Sequence, residues 1–243
     1  MDQKRIIDEF KELVSIEVHS RDERAIADVL KEKLTALGLT VTEDKAGEVL
    51  GGNTGNLYAQ LPGSTDGEPV LFSAHMDRVG NHGHIVPLVK EEEGKIVSDG
   101  TSILAGDDIG GVAAILAMLR EVKEKQIPHG PIEVAFSVCE ETGVEGSRQY
   151  DFSKFRSKSA FVYDASGKAG TIVLAAPSKG RVTIRVHGVT AHAGNEPEKG
   201  LNALKVAADL IMQLPDGRLS PVSTANFSII EAGSATNVVC DLV

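Results

Sequence analysis

The feature that most constrains this chain is a continuous apolar run that ends in two adjacent carboxylates. Residues 131–138 (PIEVAFSV) have the length and character of a buried strand. The segment 139–143 (CEETG) follows directly, and Gly143 ends the pattern. Open α/β proteins bind ligands at the carboxyl ends of their strands, which predicts that Glu140 and Glu141 line such a site. A solvated acidic turn is the alternative for a pair of glutamates taken alone.

A second strand, predicted over residues 69–74, leads directly into His75-Met76-Asp77. Side chains alternate along an extended chain, so His75 and Asp77 share a face. A carboxylate beside an imidazole can fix its tautomer and orient its other nitrogen toward a metal ion. A buried histidine with an ordinary hydrogen bond is the alternative for this motif alone.

Two more carboxylates stand at the ends of predicted elements. Asp107 comes just before a strongly helical stretch at residues 112–125, where a simple N-cap is the alternative interpretation. Asp164 follows an apolar run at residues 159–163 that predicts another buried strand. Surface solvation does not explain why carboxylates and an imidazole recur at element ends. We therefore expect these side chains to form one cation-binding pocket.

Composition argues against several classes of partner. The 243-residue chain carries a net charge of −10 and has no basic cluster, which speaks against nucleic acid and anionic membranes. No apolar run approaches the ~20 residues that span a bilayer, and the N-terminus lacks a signal-peptide pattern. Cys139 and Cys240 make no disulfide framework. We expect a cytoplasmic protein with reduced cysteines.

Periodicity predicts the remaining elements of the first segment. An apolar stripe indicates a helix over residues 4–17, and the segment 20–23 (SRDE) has the pattern of a capping box that opens a second helix ending near Leu37. Two more strands and a short helix are predicted at residues 39–43, 56–61 and 144–150.

A second segment is predicted to begin near Pro177. A half-exposed strand, a helix and two further strands follow, at residues 181–189, 197–214, 224–231 and 236–243. This order matches an unfinished β-α-β-β-α-β unit.

The chemistry of the predicted pocket favours metal ions. Carboxylates and imidazole together suit a divalent transition metal, most simply zinc. One carboxylate shared by two ions would hold them roughly 3.5–4 Å apart, as in two-metal hydrolases. Such a site also needs a base that accepts a proton from water and passes it to the leaving group. Glu140, next to a predicted ligand at Glu141, can fill that role.

Five motifs, in order, resemble a known family. They are Ala74-His75-Met76-Asp77, Gly106-Asp107-Asp108-Ile109-Gly110-Gly111, Glu140-Glu141-Thr142-Gly143, Asp164, and Gly188-Val189-Thr190-Ala191-His192-Ala193-Gly194. Together they are similar to the peptidase T-like branch of the co-catalytic zinc exopeptidases, whose superfamily includes aminoacylases and glutamate carboxypeptidases. The resemblance covers essentially the whole chain.

The resemblance implies a two-part fold. Residues 1–176 would form a mixed-sheet α/β catalytic domain with helices on both faces. Residues 177–243 would form an incomplete ferredoxin-like α+β lid domain, through which two copies can form a homodimer. A lid that presents an edge strand is compatible with such pairing.

The resemblance also implies the metal site. His75 and Asp164 would hold one zinc ion and Glu141 the other, with Asp107 bridging the two. A complete site would contain two zinc ions, and Co²⁺ or Mn²⁺ are alternatives.

Catalytic and substrate roles follow from the same resemblance. Glu140 would be the general base, and Asp77 would orient His75. His192, on the lid, would stabilise the oxyanion in the site of its own or of a partner subunit. Asn237 would contact the substrate.

The implied activity is that of a metallo-aminopeptidase, a hydrolase that removes N-terminal residues from short peptides, as a tripeptidase does. Hydrolysis of an N-acyl amino acid or another small amide is one alternative, and a catalytically silent fragment is another. Family members run well beyond 243 residues, and their additional part supplies a last metal-binding histidine. We therefore expect a truncated member that binds the metal on the His75 side more readily and has little peptidase activity alone. Ile109 replaces a lysine found in many relatives, a change that we expect to be tolerated.

Overall fold

The computed structural model describes residues 2–80, 83–168, 170–176 and 178–243. The chain divides into two units, Met1–Lys168 and Ala169–Val243. Pro177, the predicted start of the second domain, lies outside the described residues. Within the described ranges, no helix is long and apolar enough to cross a membrane.

The first unit contains both helices and strands, interspersed along the chain. Its helices are α1 (Gln3–Val14), α2 (Arg24–Ala36), α3 (Ala46–Leu50) and α4 (Gly106–Glu124). Its strands are β1 (Thr40–Glu43), β2 (Leu57–Leu61), β3 (Val70–His75), β4 (Pro87–Lys90), β5 (Lys95–Ser98), β6 (Ile132–Ser137) and β7 (Ser159–Val162). Short 3-10 helices occur at Glu91–Glu93, Ser147–Gln149 and Phe152–Lys154.

Five of these strands form one mixed sheet, in the order β1-β2-β6-β3-β7. β2 is antiparallel to β1 and β6, whereas β3 is parallel to both β6 and β7. The chain therefore leaves β3, β6 and β7 at the same edge, where His75 pairs with Ser137. All positions of β6 are buried, so both faces of the sheet are covered there. The predicted mixed-sheet α/β fold is confirmed.

Apolar faces of the helices cover this sheet. α4 packs on α1 and on β3, and α2 packs on β1 and β2. Leu13, Ile26 and Leu116 come from α1, α2 and α4, and they join Phe136 of β6 in one fully buried cluster. Burial of each such side chain stabilises the fold by roughly 1.5–3 kcal/mol. This core holds the edge at which the three parallel strands end.

The predicted capping box at residues 20–23 is wrong. α2 begins at Arg24, and the side chain of its N-cap residue, Glu23, makes no capping bond. Both box side chains bond elsewhere, because the Ser20 hydroxyl donates to the Asp77 carboxylate and the Glu23 carboxylate accepts from the Cys139 amide.

Two further expectations in the first unit need correction. The helix predicted over residues 144–150 is reduced to the 3-10 helix Ser147–Gln149. The strand predicted as buried at 159–163 forms as β7 but is exposed along its length, with Phe161 53% accessible. Periodicity gave no sign of this exposure, which follows from the position of β7 at the edge of the sheet, where β3 is its sheet neighbour.

The second unit contains α5 (Ala203–Gln213) and an antiparallel pair, β8 (Gly217–Ser220) and β9 (Ser223–Ala225), together with a 3-10 helix at Pro197–Lys199. α5 begins later than predicted because Asn202 caps it. The Asn202 side chain accepts from the amides of Leu204 and Lys205, which satisfies two otherwise free donors of the first turn.

The strands predicted at residues 181–189, 224–231 and 236–243 are wrong as regular strands. The first and last of these segments meet antiparallel near His187 and Leu242, through only a few main-chain bonds. Residues 226–231, beyond β9, have no regular structure. An alternating pattern shows that a segment can pair, but a regular strand forms only where the pairing extends along a neighbour.

Candidate active site

Three predicted site segments leave adjacent parallel strands at one edge of the sheet. His75 is the last residue of β3, Glu140 and Glu141 follow β6, and Asp164 follows β7. Asp107 lies in the first turn of α4, which packs on β3. The structure therefore brings these five predicted residues together.

The five side chains form two overlapping groups of possible metal ligands. One contains His75, Asp107 and Glu141, and the other contains His75, Glu140 and Asp164. Within each group, one ligand atom per residue lies within 4.8 Å of the others. His75 Nε2 lies 3.0 Å from Asp107 Oδ1 and 3.9 Å from Glu140 Oε2. An imidazole nitrogen among carboxylate oxygens is a donor set that zinc and related divalent metals prefer, so the residues present fit such ions.

The ring of His75 is oriented by the main chain. Its side chain is buried, and Nδ1 donates to the main-chain carbonyl of Asp77 at 2.9 Å. A carbonyl only accepts, so Nδ1 carries a proton and Nε2 is directed at Asp107. The carboxylate of Asp77, the predicted partner of the ring, lies farther away, with Oδ1 3.4 Å from Nδ1.

The Asp77 carboxylate holds the main chain that carries the acid pair. It is fully buried, and Oδ1 accepts from the Glu140 amide at 2.9 Å. Oδ2 accepts from the Glu141 amide at 3.1 Å and from the Ser20 hydroxyl at 2.6 Å. Burial alone would raise the pKa of Asp77, but His75 and these donors lower it below its usual value. Asp77 is therefore a carboxylate that positions both glutamates.

A further carboxylate, Asp108, lies beside His75 and was not predicted from the sequence as a site residue. It is 2% exposed, and its Oδ2 accepts from the main-chain amide of His75 at 3.1 Å. Burial raises the pKa of Asp108 to about 8, although the charge of His75 opposes the shift. The available signal was the second aspartate of the Asp-Asp pair, since a helix N-cap needs only one.

The imidazole of His75 is strongly perturbed. Burial lowers its pKa, but the carboxylates of Asp77, Asp108 and Asp107 outweigh burial and raise the pKa to about 10. Without a metal ion, the imidazolium is therefore the stable form at neutral pH. A metal ion at Nε2 would take the place of the proton.

The carboxyl groups around His75 also have shifted pKa values. Burial raises the pKa of Glu140, Glu141 and Asp164, and neighbouring carboxylates raise each of them further, while the charge of His75 opposes the shift. Carboxylates this close repel one another, and a divalent cation between them would relieve that repulsion. Perturbation by burial together with charged neighbours is typical of functional sites.

The other two predicted site residues, His192 and Asn237, belong to the second unit, where both are exposed. His192 Nδ1 accepts from the amides of Gly194 and Asn195, at 3.1 and 3.2 Å. The neutral ring therefore carries its proton on Nε2, which is a hydrogen-bond donor. The main-chain carbonyl of Asn237 accepts from the Ala193 amide at 2.9 Å, so Asn237 lies beside the His192 loop.

Comparison with known proteins identifies the class. The family model described as Peptidase family M28 matches residues 56–194, which include the five clustered residues. A second model, described as a peptidase dimerisation domain, matches residues 177–243. The chain belongs to peptidase family M28, in the peptidase T-like branch of zinc exopeptidases that its motifs predict.

Several individual proteins are similar to this chain in structure or sequence. The aminopeptidase PepT from Bacillus cereus ATCC 10987 matches with a TM-score of 0.86 at 40% identity, over 100% of this chain and 65% of that one. A tripeptidase from Staphylococcus aureus gives 0.85 at 34% identity, over 100% and 64%. The uncharacterized protein YqjE of Bacillus subtilis (strain 168) is 39% identical over 243 residues, which is 65% of its own length. The chain thus spans about two thirds of these relatives.

Proposed function

We propose that this protein is a zinc-dependent aminopeptidase that removes N-terminal residues from short peptides. The observation that carries the proposal is the cluster at the sheet edge, where ligand atoms of His75, Asp107 and Glu141 lie within 4.8 Å of one another. The likeness to an aminopeptidase and to a tripeptidase supports the substrate class. Tripeptides are the first substrates to test.

In the proposed arrangement, His75 and Asp164 would hold one zinc ion, Glu141 would hold a second, and Asp107 would be a ligand shared by both. Bound zinc supplies Lewis acidity, which lowers the pKa of water and polarises a carbonyl. Both candidate ligand groups contain His75, which is joined by Asp107 and Glu141 in one group and by Asp164 in the other. Co²⁺ and Mn²⁺ suit similar donors.

Glu140 is the proposed general base. Its side chain is 25% exposed, so water can reach it from solvent. Burial and neighbouring carboxylates raise the pKa of Glu140, which makes its carboxylate a better proton acceptor. Glu140 would accept a proton from the attacking water and deliver it to the leaving nitrogen, which becomes the new N-terminal amine of the shortened peptide. The bond from its amide to Asp77 holds its backbone in place.

We also propose roles for the predicted lid domain, residues 177–243, which belongs to the second unit. His192 would donate from Nε2 to the developing oxyanion, which its fixed tautomer supports. Asn237, beside the same loop, would contact the substrate.

The match to a peptidase dimerisation domain supports a homodimer formed through residues 177–243, and light scattering of the purified chain measures that oligomeric state. Residues 1–176 would be the catalytic domain, and a cytoplasmic location stays a prediction.

Metal titration tests the proposed site. Calorimetric titration of the metal-free chain with Zn²⁺ should show binding that His75→Ala weakens about 10–100-fold or abolishes. His129→Ala is the matched control, because this histidine bonds the Gly130 carbonyl outside the cluster. Equal affinity in wild type and His75→Ala would contradict the proposed site.

Glu140 needs a separate test. Its Oε2 lies 3.9 Å from His75 Nε2, so Glu140 is also a candidate ligand of the same metal ion. A general-base role predicts that Glu140→Gln keeps the zinc affinity and lowers the low level of peptide cleavage expected of this chain by at least about 100-fold. A metal-ligand role for Glu140 predicts that the zinc affinity falls as well.

Cleavage of a tripeptide panel, compared with cleavage of N-acyl amino acids, separates an aminopeptidase from an amide hydrolase. Turnover of acyl amino acids alone would contradict the aminopeptidase assignment.

A further inference from the structure

Four successive main-chain amides, from residue 138 to residue 141, each donate to a side-chain oxygen from another part of the first unit. This segment carries the chain from the end of β6 to the acid pair. The bonds are Val138 to Asn56 Oδ1 (3.0 Å), Cys139 to Glu23 Oε1 (2.9 Å), Glu140 to Asp77 Oδ1 (2.9 Å) and Glu141 to Asp77 Oδ2 (3.1 Å). The acid pair is therefore held in place by its backbone.

The three acceptor residues are Asn56, Glu23 and Asp77. Of these, Glu23 is the one whose burial the fold explains least. Its side chain is fully buried, and Oε1 accepts from both the Cys139 amide and the Arg21 amide, the latter at 3.0 Å. Its Oε2 is buried with no hydrogen-bond partner among the described residues. A buried carboxyl group is costly unless it is well bonded. As the N-cap residue of α2, Glu23 makes no side-chain capping bond, so helix capping does not account for it.

The residue that Glu23 holds has a strained backbone. Cys139 has φ of 51°, in the left-handed region that a side chain with a Cβ rarely adopts. Its carbonyl accepts from the Glu145 amide at 3.0 Å, so both main-chain polar groups of Cys139 are bonded. Such a conformation persists only where its surroundings impose it. A change of φ at Cys139 would redirect the next residue, Glu140.

We propose that Glu23 is a positioning residue, which holds Cys139 in this conformation and thereby sets the direction of Glu140 and Glu141. The carboxyl group acts through the length of its side chain and the position of one oxygen. Oε1 accepts from two amides, whereas Oε2 has no hydrogen-bond partner among the described residues. This role deepens the proposed function, since it concerns the acid pair of the proposed metal site.

Two substitutions separate the effect of the length of the Glu23 side chain from the effect of its charge. Glu23→Gln keeps an oxygen that can accept from both amides, and its NH₂ group takes the place of the unpartnered Oε2. Glu23→Asp keeps the charge, but it is one methylene shorter and cannot hold the Cys139 amide at the same distance. Ile26→Val and Leu30→Ala are controls on the same helix, since both side chains are fully buried and their truncation brackets the loss of global stability.

Hydrogen exchange of the metal-free chain gives the first measurement. In Glu23→Asp, amides at residues 139–141 should exchange about ten-fold or more faster than in the two controls, because the restraining bond is lost. Glu23→Gln should exchange within about three-fold of wild type. Equal exchange in Glu23→Asp and in the controls would overturn the proposal, and so would a Glu23→Gln variant as fast as Glu23→Asp.

Co²⁺ affinity gives the second measurement. Glu23→Asp should bind Co²⁺ about 10–100-fold more weakly than wild type, whereas Glu23→Gln and the controls should stay within about three-fold. A Glu23→Asp affinity equal to that of the controls would overturn the role of Glu23 toward the acid pair. Failure of the wild-type chain to bind Co²⁺ would instead overturn the proposed function, and the exchange data would still decide whether Glu23 holds the segment.

Discussion

Replacement of Asp77 by asparagine tests how the acid pair is held. Both carboxylate oxygens accept a main-chain N–H, Oδ1 from Glu140 and Oδ2 from Glu141. An asparagine offers one oxygen and one NH₂ group, so one of the two amides would face a donor. A buried donor left unsatisfied costs about 1–3 kcal/mol, and loss of the negative charge beside His75 adds to this. We expect Asp77→Asn to lower the free energy of unfolding of the first unit by about 2–3 kcal/mol.

The same substitution should weaken Zn²⁺ binding about 10–100-fold, because the backbone of Glu140 and Glu141 loses one of its restraints. Tyrosine fluorescence during guanidinium unfolding measures the stability of the first unit alone. Tyr58, Tyr150 and Tyr163 all belong to that unit, and the chain contains no tryptophan.

Glu133→Gln is the matched control for Asp77→Asn. Glu133 is also a buried carboxylate that accepts main-chain amides, from Arg156 and Ser157, but it lies near the start of β6 and Glu140 follows the end. We expect Glu133→Gln to lose stability without losing zinc affinity. The reasoning is refuted if Asp77→Asn stays within about 0.5 kcal/mol of wild type, or if both variants lose affinity equally.

Three other predictions concern the first unit. The pKa of His75 is raised to about 10 in the folded metal-free chain, so its stabilisation is present below about pH 6.5 and is lost as the pH rises toward 10; guanidinium unfolding at both ends of this window should show the loss, and His75→Gln should reduce it. An ideal Cβ at Gly146 would lie 1.8 Å from the Val138 carbonyl oxygen, so Gly146→Ala should cost at least about 1–3 kcal/mol by thermal denaturation, unlike Gly110→Ala, which has open space. Arg78 is buried and donates to three main-chain carbonyls at 2.7, 3.1 and 3.4 Å, so Arg78→Met should lower the tyrosine-monitored unfolding free energy by about 2–4 kcal/mol, and a change below about 0.5 kcal/mol would contradict this.

The sheet of the first unit was predictable because its strands are short apolar runs bounded by glycine, proline and polar residues. The positions of His75, Glu140 and Asp164 followed from the same runs, since each residue stands at or just after the end of a strand. Parallel pairing of β3 with β6 and β7 then places these ends at one edge. Local patterns thus contained enough information to nominate the cluster before its geometry was known.

The capping box shows where local patterns fail. Ser20 and Glu23 have the spacing of reciprocal helix caps, yet both side chains bond residues far along the chain, Asp77 and Cys139. Places where a local rule is broken in favour of distant partners are often functional. In the second unit the failure has another cause, because within the described ranges the predicted strands pair through only a few main-chain bonds.

By itself, the order of apolar runs, glycines and carboxylates determined the α/β class, the strand ends that carry chemistry and the family. Those properties depend on neighbours in the chain, which periodicity and motif spacing describe. Only the tertiary structure decided that Asp77 bonds the amides of Glu140 and Glu141, that Asp108 is buried against His75, and that Glu23 holds Cys139. Each of these bonds joins residues dozens of positions apart, and which buried acceptor meets which amide depends on how the packed elements bring the backbone together.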